Sequence, residues 1–166
     1  MDRYVKNNEN IYVNRVFITG FTLLTIWLLM LSFAPLLMAS GFPPAGYAAT
    51  MIYFLTDPVC HQLPARSLYI SGLPMPVCAR CYFIYLGGWM VFLIPVFRRK
   101  INFWSHRIYL IMGLLILTEF VVEKTGLYQN PTEIRMIAGF LLGILIFRLI
   151  IEALYWNEQR GTEKNG

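Results

Sequence analysis

Apolar and polar positions alternate along this chain in long blocks, not at the two-residue spacing of half-buried strands. A polar opening over residues 1–15 gives way to an apolar run over 16–38. That run is long enough to cross a hydrocarbon core of roughly 30 Å at about 1.5 Å per residue. Gly41-Phe42-Pro43-Pro44 breaks the helix. The next apolar stretch, 47–55, stops at Thr56-Asp57-Pro58 and is too short to span, so it predicts a half-helix or interfacial segment. A polar loop over 57–80 follows, and then three more apolar runs, over 81–97, 107–122 and 134–156. The expected fold is an all-α integral membrane protein of four transmembrane helices. A short half-helix or interfacial helix precedes the loop, and residues 1–166 form a single membrane domain.

A cleaved signal peptide competes for the first run, because Ala39-Ser40-Gly41 follows it. The run exceeds the usual apolar core of about 7–15 residues, which favours an uncleaved anchor. Asn130 or Thr132 is available to cap the last helix. Gly87-Gly88 and the G-x-x-x-G from Gly139 to Gly143 predict close helix approach. Thr19, Thr22 and Thr25 stand three apart and can bond back to their own backbone. Arg148 and Glu152 lie one turn apart and can pair. Tyr155 and Trp156 read as interfacial anchors, and the polar tail after Asn157 as loose chain.

Composition agrees with a membrane protein. Of 166 residues, 57% are hydrophobic and 14% charged, against about a quarter charged in soluble domains. The net charge of +5 does not point to nucleic acid, because the basic residues flank apolar runs instead of forming a polar basic face. With four spans, Arg3, Lys6, Arg15, Arg98, Arg99, Lys100, Arg107, Arg160 and Lys164 share one side. The other side holds Arg66, Arg80, Lys124 and Arg135. Positively charged loops stay inside. Both termini are therefore expected in the cytoplasm, with the 57–80 loop on the extracytoplasmic face of the cell membrane.

The polar chemistry is concentrated in DPVCHQLPARSLYISGLPMPVCARCYFIYLGG, which holds all three cysteines. Cys78-Ala79-Arg80-Cys81 can point two sulfurs the same way, and Cys60 with His61 would complete a Cys₃His tetrahedron. Zinc suits thiolate plus imidazole, with iron or copper as further candidates. The same atoms support a thiol–disulfide oxidoreductase, in which Cys78 and Cys81 exchange through Cys60 and a quinone accepts electrons. A C-x-x-C at a helix N-terminus beside Arg80 favours thiolate. A third class is a small transporter or channel subunit using Glu119, Glu123 and Arg135. Charges at membrane depth cost about 2.5–3.5 kcal/mol on insertion scales, so they are usually paired or functional. Glu119 and Arg135 are the expected partners. Arg66 and Arg80 would offset thiolate charge or bind a small anionic ligand or lipid head group. The bilayer and further copies of the chain complete the expected partners.

Two blocks carry a resemblance. The first is C-H-Q-x-P-x-R-S followed by P-V-C-x-R-C and a glycine-bearing apolar helix: Cys60, His61, Gln62, Pro64, Arg66 and Ser67, then Gly72, Pro76, Val77, Cys78, Arg80, Cys81 and Gly87. The second is Asn130, Arg135 and Gly139. Over about residues 50–145 the chain resembles the bacterial and archaeal membrane family called domain of unknown function 2085. Members often continue the C-x-R-C with Thr-Gly, where this chain has Tyr82-Phe83. The resemblance implies a multi-span membrane protein and no particular activity.

Overall fold

The computed structural model describes residues 2–97, 105–125 and 131–164. The chain is mostly helical, in the order α1 (Asp2–Ala39), α2 (Pro43–Thr56), a 3₁₀ turn (Pro64–Arg66), β1 (Ser67–Ile70), β2 (Leu73–Cys78), α3 (Ala79–Phe97), α4 (His106–Lys124) and α5 (Thr132–Lys164). Arg98-Arg99-Lys100, Gly126 and Asn130 lie outside the described residues.

Two helices outrun their apolar segments. No glycine or proline interrupts residues 2–15, so α1 continues through the polar opening to reach 38 residues. The tail expected to be loose is instead the last part of the 33-residue α5, since its Glu, Gln, Arg and Lys are good helix formers. Pro43 and Pro44 open α2, where their missing N–H groups cost nothing.

The expectation of an all-helical chain needs one correction. Within the 57–80 loop, β1 and β2 pair antiparallel, with Ile70 opposite Leu73, Tyr69 opposite Pro74 and Ser67 opposite Cys78 across a bulge. The turn places Ser71 at φ 53° and Gly72 at φ 79°, the two left-handed positions of a type I′ hairpin turn. Pro74 and Pro76 hide this strand from a sequence reading, because proline cannot donate to a ladder. A two-stranded ribbon tolerates them, as both strands are edges.

Two helical segments among the described residues are long and apolar enough to cross a membrane. They are Arg15–Ala39, with mean hydropathy 2.1, and Thr132–Leu154, with 2.3. Only 17% and 28% of these windows are buried inside the protein, so neither is the core helix of a soluble fold. A shorter apolar run, Ala79–Leu93, lies in α3. Helix length and composition thus carry two of the four expected spans.

Glycines set the closest packing. A methyl group at Gly139 would meet the Arg80 carbonyl oxygen, one at Gly143 the Ile84 carbonyl, and one at Gly87 the Phe140 carbonyl. The backbones of α3 and α5 therefore touch, as the G-x-x-x-G spacing predicts. Gly20 of α1 lies against the Phe92 ring, beside the buried cluster of Phe17, Val91, Phe92 and Ile151. Thr22 and Thr25 bond back to Ile18 and Phe21, and Thr25 also accepts the Trp89 indole N–H at 2.8 Å. A second cluster, Leu31, Ala34, Ile52, Cys60, Met75 and Val77, binds the hairpin to α1 and α2.

Candidate metal centre

The site begins where α2 stops. Thr56 is fully buried, and its carbonyl accepts the N–H groups of Val59 and Cys60 at 3.1 and 3.0 Å. The chain then turns sharply at Gln62, which is left-handed at φ 48°. The Gln62 side-chain amide donates back to the Tyr53 carbonyl at 2.6 Å and to the Thr56 hydroxyl at 3.1 Å. The Tyr53 hydroxyl donates to the Pro74 carbonyl at 2.5 Å. Together these bonds hold residues 59–62 against both α2 and the hairpin. In the sequence Thr56 marks only the end of the apolar stretch and Gln62 only a place in the C-H-Q block, and nothing singles out Tyr53.

The result is a cluster of sulfur. Cys60 is buried, Cys78 ends β2, and Cys81 lies in the first turn of α3, with all three Sγ atoms within 4.8 Å of one another. All three are free thiols. The Cys78 backbone N–H donates to Cys60 Sγ at 3.2 Å. The Cys60 thiol is pulled well below its ordinary pKa, first by the hydrogen bond from the Cys78 side chain and then by that from Cys81. The Cys78 thiol is pushed up, chiefly because it donates to Cys60. Hydrogen bonding among the thiols thus favours a single thiolate, at Cys60.

Three sulfurs around one ion at a zinc–sulfur length of about 2.3 Å would stand about 3.8 Å apart in tetrahedral geometry. The three sulfurs lie within 4.8 Å of one another, near that spacing, so the donor set fits a thiophilic ion. His61 is exposed and does not join the three-sulfur group.

The charged candidates gather around the Glu123 carboxylate. Arg80 sits between Cys78 and Cys81 in sequence, but its guanidinium reaches α4, donating to Glu119 at 2.6 Å and Glu123 at 2.5 Å. Arg135 Nε donates to Glu123 at 3.2 Å, and Arg66 approaches the same carboxylate at 3.8 Å. Arg135 therefore pairs with Glu123 and not, as expected, with Glu119, which accepts from Arg80, and Arg80 and Glu123 link all five residues into one network. Arg80 Nε is buried with no hydrogen-bond partner among the described residues. Burial pushes the Glu123 carboxyl up, but the Arg80 hydrogen bond and the three arginine charges outweigh it and hold the pKa below the ordinary value. Far along the chain, Arg148 and Glu152 form their expected pair at 3.2 Å.

Comparison with known proteins reaches the same stretch. The family model described as "Predicted membrane protein (DUF2085)" matches residues 60–149, from the first cysteine to the middle of α5. An uncharacterized protein of Methanocaldococcus jannaschii is 30% identical over 112 residues, covering 66% of this chain and 72% of that protein. An uncharacterized protein of Methanothermobacter thermautotrophicus is 29% identical over 89 residues, covering 52% of this chain and 78% of its own length. No solved structure matches the chain.

Proposed function

Because the chain belongs to the DUF2085 family of predicted membrane proteins, we propose that it is a four-span protein of the cell membrane carrying a metal-binding hairpin on its extracytoplasmic face. The observation that carries this reading is the convergence of the Cys60, Cys78 and Cys81 sulfurs within 4.8 Å. These are the only cysteines of the chain, brought together from a loop, a strand end and a helix start. Zinc is the proposed ion, since three thiolates with one further donor is a common closed zinc geometry.

His61 is the proposed fourth ligand. It is the imidazole next to Cys60 in the chain, and it is exposed rather than packed into the core. The four spans are 16–38, 81–97, 107–122 and 134–156, all within one domain of residues 1–166. Both termini lie on the cytoplasmic side, where arginine and lysine are concentrated.

The test is elemental analysis of detergent-purified protein prepared without added metal or reductant. About one zinc per chain is expected, lost in Cys78→Ser and reduced in His61→Ala. Full metal content in His61→Ala would move the fourth position to another donor. A second reading keeps the same sulfurs. Cys78 and Cys81 would form a disulfide, releasing two protons and two electrons that reduce a quinone to its hydroquinone, with Cys60 as exchange partner. The proton sharing that favours thiolate at Cys60 supports this chemistry too. It would be recognised by metal-free protein in which two of the three thiols resist alkylation until reduced.

A further inference from the structure

Helix α4 meets the rest of the protein chiefly along α5, and between them lies a cavity of about 290 Å³. Gly113, Leu117 and Phe120 of α4 face Ala138, Leu142 and Leu145 of α5 across it, and Arg80 and Glu119 stand at one end. The volume is at the small end of ligand sites. The groove opens outward, since Leu117 and Phe120 line it while about half exposed, at 57% and 47%. In a membrane protein that opening faces lipid tails. A side chain at Gly113 would meet nothing within 4 Å, so the missing side chain widens the groove and is not needed for close helix contact.

The polar end is not neutral. Among the described residues, Arg66, Arg80 and Arg135 meet two carboxylates, Glu119 and Glu123, so this network holds one more positive charge than negative. Arg66 is the loosest member, 52% exposed and 3.8 Å from Glu123. Glu123 lies one helical turn beyond Glu119, so the charged rim stands about 5–6 Å past the end of the apolar groove. Apolar length leads into an arginine-rich rim, which is the shape of an amphiphile with a negative head.

We propose that the α4–α5 groove binds a membrane lipid with an anionic phosphate head group, its acyl chain between the two helices and its phosphate at Arg66 and Arg80. Glu119 and Glu123 do not repel it, because the carboxylates are already held by Arg80 and Arg135. The site is separate from the three sulfurs and does not depend on metal.

The test is thermal unfolding of the full chain in neutral detergent, titrated with phosphatidylglycerol, phosphatidylcholine, a neutral isoprenoid quinone or inorganic phosphate. Phosphatidylglycerol is expected to raise the melting temperature in a saturable manner that the other three do not reproduce. Arg66→Gln should weaken this binding about tenfold, as expected for one lost charge-assisted contact. Gly113→Leu should abolish it by filling the groove, while the lipid-free variant melts no lower than the parent. Equal shifts from phosphatidylcholine or from quinone, or a shift that survives both substitutions, would overturn the proposal. So would a full effect from inorganic phosphate alone, which would leave the groove without a role. Metal content measured on the same samples should be unchanged in both variants, so the failure of either reading is visible without the other.

Discussion

At the scale of single residues, the site is held by atoms that carry no metal chemistry of their own. Gln62 adopts a backbone conformation that costs a non-glycine residue of order 1 kcal/mol or more, and two side-chain hydrogen bonds to α2 offset it. Gln62→Ala keeps the strain and loses both bonds. It should lower stability by about 1–3 kcal/mol, read from thermal unfolding, and increase alkylation of Cys60 in metal-free protein. Glu123 gives a pH signature. Its folded pKa lies below the ordinary 4.5, so its contribution is fully present above that value and is lost as pH falls through the depressed folded value. Melting temperature should therefore drop on acidification below 4.5, and Glu123→Gln should lower stability at neutral pH while flattening that drop. A parallel acid profile in the variant would place the titration elsewhere. Cys60 was legible from sequence as a candidate ligand. Its role as acceptor of the Cys78 N–H was not, because residues 18 positions apart meet only once the hairpin has closed.

At the scale of elements, the glycines divide into those that are packed and those that are not. Gly143 meets the Ile84 backbone, whereas nothing lies near Gly46 in α2. Gly143→Ala should destabilise by about 1–3 kcal/mol, since helix backbones must separate. Gly46→Ala should stabilise by about 0.5–1 kcal/mol through helix propensity alone. Denaturant or thermal unfolding of the two variants in one detergent checks the contrast, and equal effects would refute the close α3–α5 contact. The helices were readable because long apolar runs and glycine spacing are local signals. The hairpin was not, since Pro74 and Pro76 disguise β2. Ser71-Gly72 was the one local sign of a turn, and it is weaker than Asn-Gly. The hairpin matters to the site because its register puts Ser67 opposite Cys78, fixing the second cysteine against the core before α3 begins.

At the scale of the whole molecule, four spans would put both termini on one side and the hairpin on the other. Reporter fusions at the N-terminus and the C-terminus should both report cytoplasm. A protease site inserted after Gly72 should be cut only from outside intact cells, and cutting from the cytoplasmic side would reverse the topology. Sequence alone determined the membrane class, the positions of the apolar helices and the stretch that holds all three cysteines. Each of these follows from composition, run length and spacing, which are properties of the chain before it folds. Tertiary structure alone decided three things: that three sulfurs meet, that Arg80 turns from the cysteines to the α4 carboxylates, and that α4 leaves an open groove along α5. Those are contacts between residues distant in sequence, set by which helix faces can approach closely and which cannot, and no local pattern encodes them.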